Sequence, residues 1–456
     1  MKFGVGQTVK RLEDANLLIG KGKYTDDQMP GSGLAVAFLR SPFAHARLTG
    51  LDLAAARAAD GVHLVAGQAD MDADNVGEIH CQHYVDNRDG SQVPRTTKPA
   101  MARDIIRHAG DLVAMVVAGT RQQALDALEL IEVDFEPLDA VVDVYEATAQ
   151  GAPQLYDCYP NNTVFSWEAG TIDTARAEID KAVAAGAKLV EVDVINSRVM
   201  PNAMETRPMV AQPCEDINGL RMWCGTQGPV GIAEQIATAL LMPLDKVRVR
   251  TPDVGGSFGF KIFLHPEQIC LAWAARRLGV LVRWQQNRSE AFVADLHGRD
   301  NKSRASAMID RAGRIQALKV TAFANMGAWL SNFSTYIPTM SGCRTLTTIY
   351  DIPATSLRVV GVVTNTPAVD AYRGAGRPEA NYLMERLMDH IADITGKSRI
   401  EIRKINMIKA SQIPYEMPVG GTIDSGDMPA LLDMAMDKAD LAGFAASILR
   451  RGVRTV

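Results

Sequence analysis

Two glycine-bearing segments constrain this chain more than anything else in it: Val254-Gly255-Gly256-Ser257-Phe258-Gly259-Phe260-Lys261 and Ala371-Tyr372-Arg373-Gly374-Ala375-Gly376-Arg377-Pro378, with residues 262–370 between them. Glycine lacks a Cβ, so these runs permit positive φ and let amide N–H groups approach an anion or an oxo group to hydrogen-bonding distance. The second segment adds two fixed positive charges, Arg373 and Arg377. A third segment, Cys224-Gly225-Thr226-Gln227-Gly228-Pro229, sets a glutamine amide in a turn between an apolar strand and a helix.

Gly255–Gly259 also matches the G-x-S-x-G pattern of a nucleophile elbow, in which a strained strand-to-helix turn exposes a serine. An elbow needs a helix directly after Ser257. Here Phe260–Leu264 reads as extended chain before Pro266, and His265, His297 and His390 have no recognisable triad context.

The chain of 456 residues exceeds what one hydrophobic core usually serves, so two or more domains are expected, and its 47% hydrophobic content predicts a well-filled interior. A net charge of -5 provides no basic excess for nucleic acid or an anionic membrane. The N-terminus has no run of signal-peptide length, and no stretch of about 18 apolar residues occurs, so a cytoplasmic location is expected. Six dispersed cysteines without a CxxC fit reduced, mostly structural thiols, and place any iron-sulfur relay elsewhere. His80-Cys81-Gln82-His83 has an HxxH spacing but no second ligand pair nearby and reads as a loop. Met340, Met384 and Met388 read as core filler.

Residues 112–119 form an apolar run of strand length, 120–130 a helix with Ala124, Leu125, Leu128 and Ile131 on one face, and 131–135 a second strand: a β-α-β unit. A boundary lies at 145–162, where Gly151, Pro153, Pro160 and Asn161-Asn162 interrupt periodicity. Beyond it, strands are expected at 188–196 and 246–250 around a helix at 230–241. A further helix opens at Pro266 with Leu271, Ala274, Ala275 and Leu278 inward. Another opens at Pro378, with Leu383, Leu387, Ile391 and Ile394 on one stripe.

The three loops, in this order and with Gln227 first, resemble the large, molybdenum-binding subunit of the xanthine dehydrogenase, aldehyde oxidase and carbon monoxide dehydrogenase family. The likeness also takes in Val5–Asp14, Gly20–Asp27, Arg40-Ser41-Pro42-Phe43-Ala44-His45-Ala46, Gly110–Ala114 and Met204-Glu205-Thr206-Arg207-Pro208, and runs to residue 445. It implies a multidomain mixed α/β (α+β) fold. An a/b hammerhead domain would span residues 1–148, a first molybdopterin-binding domain 149–410, and the start of a second, truncated one 411–456. The implied cofactor is molybdopterin carrying molybdenum, as the cytosine dinucleotide, with no direct protein ligand to the metal. Iron-sulfur and FAD groups would sit on small and medium partner subunits.

Residue by residue, the resemblance assigns Gln227, Gly256, Phe258, Gly259, Arg373 and Gly374 to cofactor binding. It gives Arg373 the catalytic task of stabilising negative charge as substrate is attacked, commonly the largest catalytic contribution. Arg377 reads as structural or phosphate-facing. Two departures narrow the substrate. The cysteine that binds copper in carbon monoxide dehydrogenases is absent from Arg373–Arg377, and Ile262 stands where xanthine-type enzymes carry a glutamate. An aldehyde or an N-heterocycle remains.

The family's second molybdopterin-binding domain and its Gly-x-Gly-Glu general base have no counterpart here, and Glu205 cannot be assigned that role. Three readings follow: a hydroxylase subunit completed by another chain that supplies the missing half, a truncated relative acting at most as an interaction module, and a serine hydrolase through Ser257.

Overall fold

A computed structural model of the chain describes residues 4, 6–29, 31, 33–186 and 189–444, so the C-terminal Leu449–Val456 stretch lies outside the described residues. Strand Leu112–Ala118 is buried along its whole length, as its unbroken apolar run predicts. It belongs to a seven-stranded sheet ordered Val247–Arg250, Gly219–Cys224, Pro208–Cys214, Val282–Gln285, Leu34–Arg40, Leu112–Ala118, Val62–Gly67. Strands from both sides of residue 148 share this sheet. They join through the parallel pairing of Leu34 with Val282 and of Ala35 with Arg283.

Helix Pro266–Leu278 packs on the sheet, opened by proline at its first position and closed by Gly279 at φ 69°. All residues from Glu267 to Ala275 are buried, so the helix is covered on every side rather than along one stripe. A second sheet has five strands, ordered Val190–Asn196, Asn301–Ile309, Ile315–Gly327, Thr355–Val363, Thr163–Gly170. Helix Arg377–Thr395 covers one face of it with Leu383, Met384, Leu387, Met388 and Ile391, and helix Ile172–Ala184 covers the other with Ala175 and Ile179.

Four local expectations are corrected. The strand Glu132–Pro137 does not rejoin the sheet of Leu112–Ala118; it pairs with Ala46–Asp52 in a separate three-stranded sheet, so 112–135 is not a β-α-β unit of one sheet. The physical reason is its alternation: Val133 and Phe135 are half-buried between exposed Glu132, Asp134 and Glu136, a pattern for a one-sided sheet rather than a core strand. In helix Arg121–Leu128 the buried residues are Ala124 and Ala127, small enough for close packing on strand Leu112–Ala118; Leu128 and Ile131 pack partly against the same core, but Leu125 is 40% exposed. Burial along helix Arg377–Thr395 ends at Ala392, and Ile394 is 50% exposed. Finally, Phe260–Ile262 is a turn of 3-10 helix rather than extended chain, because Gly259 at φ 110° lets its carbonyl accept from the Ile262 amide at 2.9 Å. Among the described residues no helix is long and apolar enough to cross a membrane.

Candidate functional site

Loop 254–261 is anchored at its base before it reaches its tip. The Gly255 amide donates to Glu205 Oε2 at 3.0 Å, and the Glu205 amide returns a bond to the Gly255 carbonyl at 3.0 Å. Lys261 Nζ, buried, donates to the Glu205 carbonyl at 2.8 Å and to Oε2 at 3.1 Å. Burial lowers the Lys261 pKa, and the Glu205 carboxylate opposes that shift. Lys23 and Asp253 exchange two further bonds, at 2.8 and 3.1 Å, which strap residues 21–27 across the start of the loop.

The tip then meets both of the other loops. Thr226 Oγ1 donates to the Lys261 carbonyl at 2.6 Å and accepts from the Gly228 amide at 3.1 Å, which fixes the turn before helix Pro229–Ala239. Gln227, at the apex of that turn, accepts through Oε1 from the Gly259 amide at 2.9 Å and from the Ser257 hydroxyl. On the other side the Phe258 carbonyl accepts from the Arg373 amide at 2.9 Å. Gln227, Gly259, Phe258 and Arg373, far apart in sequence, are therefore joined by direct hydrogen bonds.

This arrangement leaves donors facing outward. Gln227 spends its carbonyl oxygen on the loop, so its amide nitrogen is the atom left over, and among the described residues it has no acceptor. Among the described residues the Phe258 amide has none either, and no carboxylate pairs with the exposed Arg373 guanidinium. Phe258 itself sits at φ 53° and is 41% exposed. A non-glycine residue at positive φ carries strain of order 1–3 kcal/mol and is found where the surroundings over-determine it.

The glycines serve this junction through the protein's own packing. A Cβ on Gly259 would lie 2.4 Å from the Ala371 carbonyl oxygen, and one on Gly374 would lie 2.4 Å from Pro378 Cγ. On Gly256 a Cβ would come within 3.1 Å of the Phe258 ring. Gly259→Ala is accordingly expected to separate the first and second loops. With strain and a backbone clash acting together the loss should exceed about 2 kcal/mol, read as a lowered urea midpoint and faster amide exchange across 371–377. Unchanged exchange there would refute the docking described.

Beneath the second loop, Ser341 Oγ donates to the Ala375 carbonyl at 2.7 Å from a turn of π-helix, Ile337–Ser341. The Asp370 carboxylate accepts from the amides of Ala371 at 2.7 Å and Phe333 at 2.9 Å, while burial pushes its pKa up to about 7. Arg377 Nη1 donates to the Gly374 carbonyl at 3.2 Å, a local bond within the loop.

Ser257 is buried and its hydroxyl is committed to Gln227; helix Pro266–Leu278 begins only after the Phe260–Ile262 turn. His265 is turned toward the Phe260 carbonyl at 3.0 Å, and burial holds its pKa down at about 4. In the 80–83 loop Cys81 is buried and its thiol faces the His83 carbonyl at 3.3 Å, while the His83 ring packs on Tyr336. Glu205 and Lys261 lie in segments singled out in the sequence, but their bonds to the loop base, and the parts played by Asp370 and Ser341, are not marked locally, because burial of a polar side chain is decided by elements distant in the chain.

Residues 155–407 match the family model described as a molybdopterin cofactor-binding domain, and residues 19–139 match that of the aldehyde oxidase and xanthine dehydrogenase a/b hammerhead domain. The chain is 31% identical over 444 residues to the nicotine 6-hydroxylase large subunit of Paenarthrobacter nicotinovorans, covering 96% of this chain and 52% of that protein. It is 32% identical over 459 residues to the carbon monoxide dehydrogenase large chain of Afipia carboxidovorans, covering 95% and 54%. The crystal structure of quinoline 2-oxidoreductase from Pseudomonas putida 86 superposes with a TM-score of 0.91 at 31% identity, over 100% of this chain and 56% of that one. The chain belongs to the molybdenum-binding large subunits of the xanthine dehydrogenase, aldehyde oxidase and carbon monoxide dehydrogenase family. It spans about half the length of these relatives. By contrast it spans 96% of the nicotinate dehydrogenase large molybdopterin subunit of Eubacterium barkeri, at 25% identity.

Proposed function

We propose that this chain contributes one wall of a molybdopterin-dependent hydroxylase site and that the reaction is oxidative hydroxylation of an N-heterocycle or an aldehyde, with water as the oxygen source. The observation that carries the reading is the direct bonding of Gln227, Phe258-Gly259 and Arg373 into one junction whose leftover side-chain groups, the Gln227 amide nitrogen and the Arg373 guanidinium, are donors. Donors without acceptors suit the oxygens of a metal-oxo centre and of phosphate, so the residues present fit the cofactor. The Gln227 amide and the Phe258 N–H would hold its oxygens, and Arg373 would face developing negative charge on substrate. Gly256 and Gly374 keep the backbone bare beside these donors. The cofactor, when bound, supplies the oxidation and passes electrons on; the protein supplies placement and electrostatics.

Two neighbours act on N-heterocycles by their names, nicotine 6-hydroxylase and quinoline 2-oxidoreductase, which supports that substrate class. Carbon monoxide chemistry through copper is disfavoured by the loop itself. Gly374-Ala375-Gly376 carries no thiol, and Cys343, nearest in sequence, is buried with its Sγ on the Val419 carbonyl at 3.3 Å. Ile262 leaves no carboxylate at the position that would recognise a purine.

The remaining parts of the reading are a cytosine dinucleotide form of the cofactor, iron-sulfur and FAD groups on small and medium partner subunits, a cytoplasmic location, and pterin contacts and a general base on residues outside these 456. The match over nearly all of the nicotinate dehydrogenase subunit supports a second chain as their source. An interaction module without cofactor is the second reading, favoured by the exposed Leu431 and Met434 on helix Met428–Lys438. Elemental analysis decides between the two. Purified with its neighbouring gene products from a host that makes the cofactor, the chain should carry near-stoichiometric molybdenum. No metal with or without those partners would sink the hydroxylase reading.

A further inference from the structure

We propose that Arg299 is a positioning residue for Arg373, an inference that rests on the hydroxylase reading for its catalytic consequence but on geometry alone for its structural content. Arg299 Nη1 donates to the Tyr372 carbonyl at 3.0 Å, and Nη2 donates to the Arg373 carbonyl at 2.5 Å. These two carbonyls belong to the peptide units on either side of the Arg373 Cα. The first of those units also donates its N–H to the Phe258 carbonyl, at 2.9 Å. Both torsions at Arg373 are thereby held from outside the loop, and with them the direction in which its side chain leaves the backbone.

The clamp is itself built and braced. Arg299 pairs with Glu379 at 3.3 Å, where the side chains are 12% and 9% exposed, and its guanidinium lies 4.9 Å from the centre of the Tyr372 ring. Burial raises the Glu379 pKa and the Arg299 charge opposes the rise. Arg299 is paired with Glu379, whereas among the described residues neither Arg373 nor Arg377 of the second loop has a carboxylate partner.

Arg299 and Asp300 both adopt positive φ, 64° and 67°, a conformation two successive non-glycine residues hold only when their surroundings impose it. The imposing contacts are visible. Asp300 Oδ2 accepts from Arg198 Nε at 2.8 Å and from Asn325 Nδ2 at 2.9 Å, and its carbonyl accepts from the Asn325 amide at 3.1 Å. Gly298 lies so close to Tyr372 that a Cβ there would be 2.3 Å from the tyrosine Cβ. His297 and Asp370 exchange a further backbone bond at 3.0 Å. Segment 297–300 is thus a rigid brace whose one long side chain reaches into the second loop. A lysine could not take its place, because a single ammonium cannot span two carbonyls and a carboxylate as the planar fork does.

The test has two arms. In the chain without cofactor, Arg299→Met should speed amide exchange across 371–377 by tenfold or more, on the order expected for freeing a held loop, with Arg299→Lys between it and wild type. In the complex with its partner subunits, Arg299→Met should lower kcat by about 10- to 100-fold with molybdenum content and KM kept, the scale of a misplaced catalytic group. In an Arg373→Ala background the same change should add less than about twofold, since the two act as one unit. Unchanged exchange in 371–377, or equal losses in both backgrounds, would overturn the proposal. If the wild-type complex carries no molybdenum, the hydroxylase reading fails by itself and the exchange arm still decides whether Arg299 holds the loop.

Discussion

Arg373→Ala, in the molybdenum-loaded complex, is expected to lower kcat by about 10²- to 10³-fold while metal content stays at the wild-type level. That range corresponds to about 3–4 kcal/mol of lost transition-state stabilisation, as for removal of one charge-stabilising donor from a preorganised site. The loop should survive the substitution, because its contacts run through the backbone: the Arg373 amide to Phe258, its carbonyl to Arg299, and the Ala375 amide to the Tyr372 carbonyl at 2.7 Å. Steady-state kinetics with metal analysis of each preparation separates the outcomes. A fall in kcat that follows a proportional fall in molybdenum would show Arg373 to be a cofactor anchor instead, and an unchanged kcat would remove it from the chemistry.

Arg207→Met should be the most destabilising single change away from the loops, by about 3–5 kcal/mol, the cost of leaving a buried ion-pair partner uncompensated. Arg207 is 6% exposed. It donates through Nε to Asp295 at 2.6 Å and through Nη1 and Nη2 to Glu267 at 2.8 and 3.1 Å. Burial works against the Arg207 charge, yet the Glu267 and Asp295 carboxylates more than offset it and its pKa ends raised. Glu267 mirrors this: burial would raise it, and Arg207 with Arg40 brings it far below the usual carboxylate range. Arg40, on strand Leu34–Arg40, reaches Glu267 at 2.9 Å and Glu290 at 3.1 Å, so the network stitches the N-terminal strands to the helices beyond residue 148. Glu267 has its folded pKa depressed. The stability it contributes is therefore present above the unfolded carboxylate range and is lost as pH falls toward the depressed value. Urea unfolding at neutral pH measures the Arg207→Met change. A shift within about 1 kcal/mol would show that water reaches the pair and screens it.

Much of the site was legible in advance because its parts are local. The need for bare backbone reads directly from Gly255-Gly256 and Gly374-Ala375-Gly376, a glutamine in a turn reads from Gly225-Thr226-Gln227-Gly228, and helix starts read from Pro266 and Pro378. Strand Leu112–Ala118 was equally plain, since a strand buried on every side must be apolar throughout. The destination of strand Glu132–Pro137 was not, because two-residue alternation specifies a half-buried strand without specifying which sheet it joins. On helix Arg121–Leu128 the expected face holds at Ala124, Leu128 and Ile131 but not at Leu125, where Ala127, small enough for close packing, turns inward instead.

By itself, then, the sequence determined which atoms are on offer: a glutamine amide, an aromatic residue and two arginines on glycine-permitted turns, in an order that carries the family resemblance. Only the tertiary structure decided which of those atoms remain unspent. The Gln227 oxygen is consumed by Gly259 while its nitrogen is left over, and Arg299 is consumed by Glu379 and the carbonyls around Arg373 while Arg373 is not. Hydrogen-bond and charge satisfaction is a property of neighbours brought together from distant parts of the chain, so no local reading of residues 227, 299 or 373 could have assigned it.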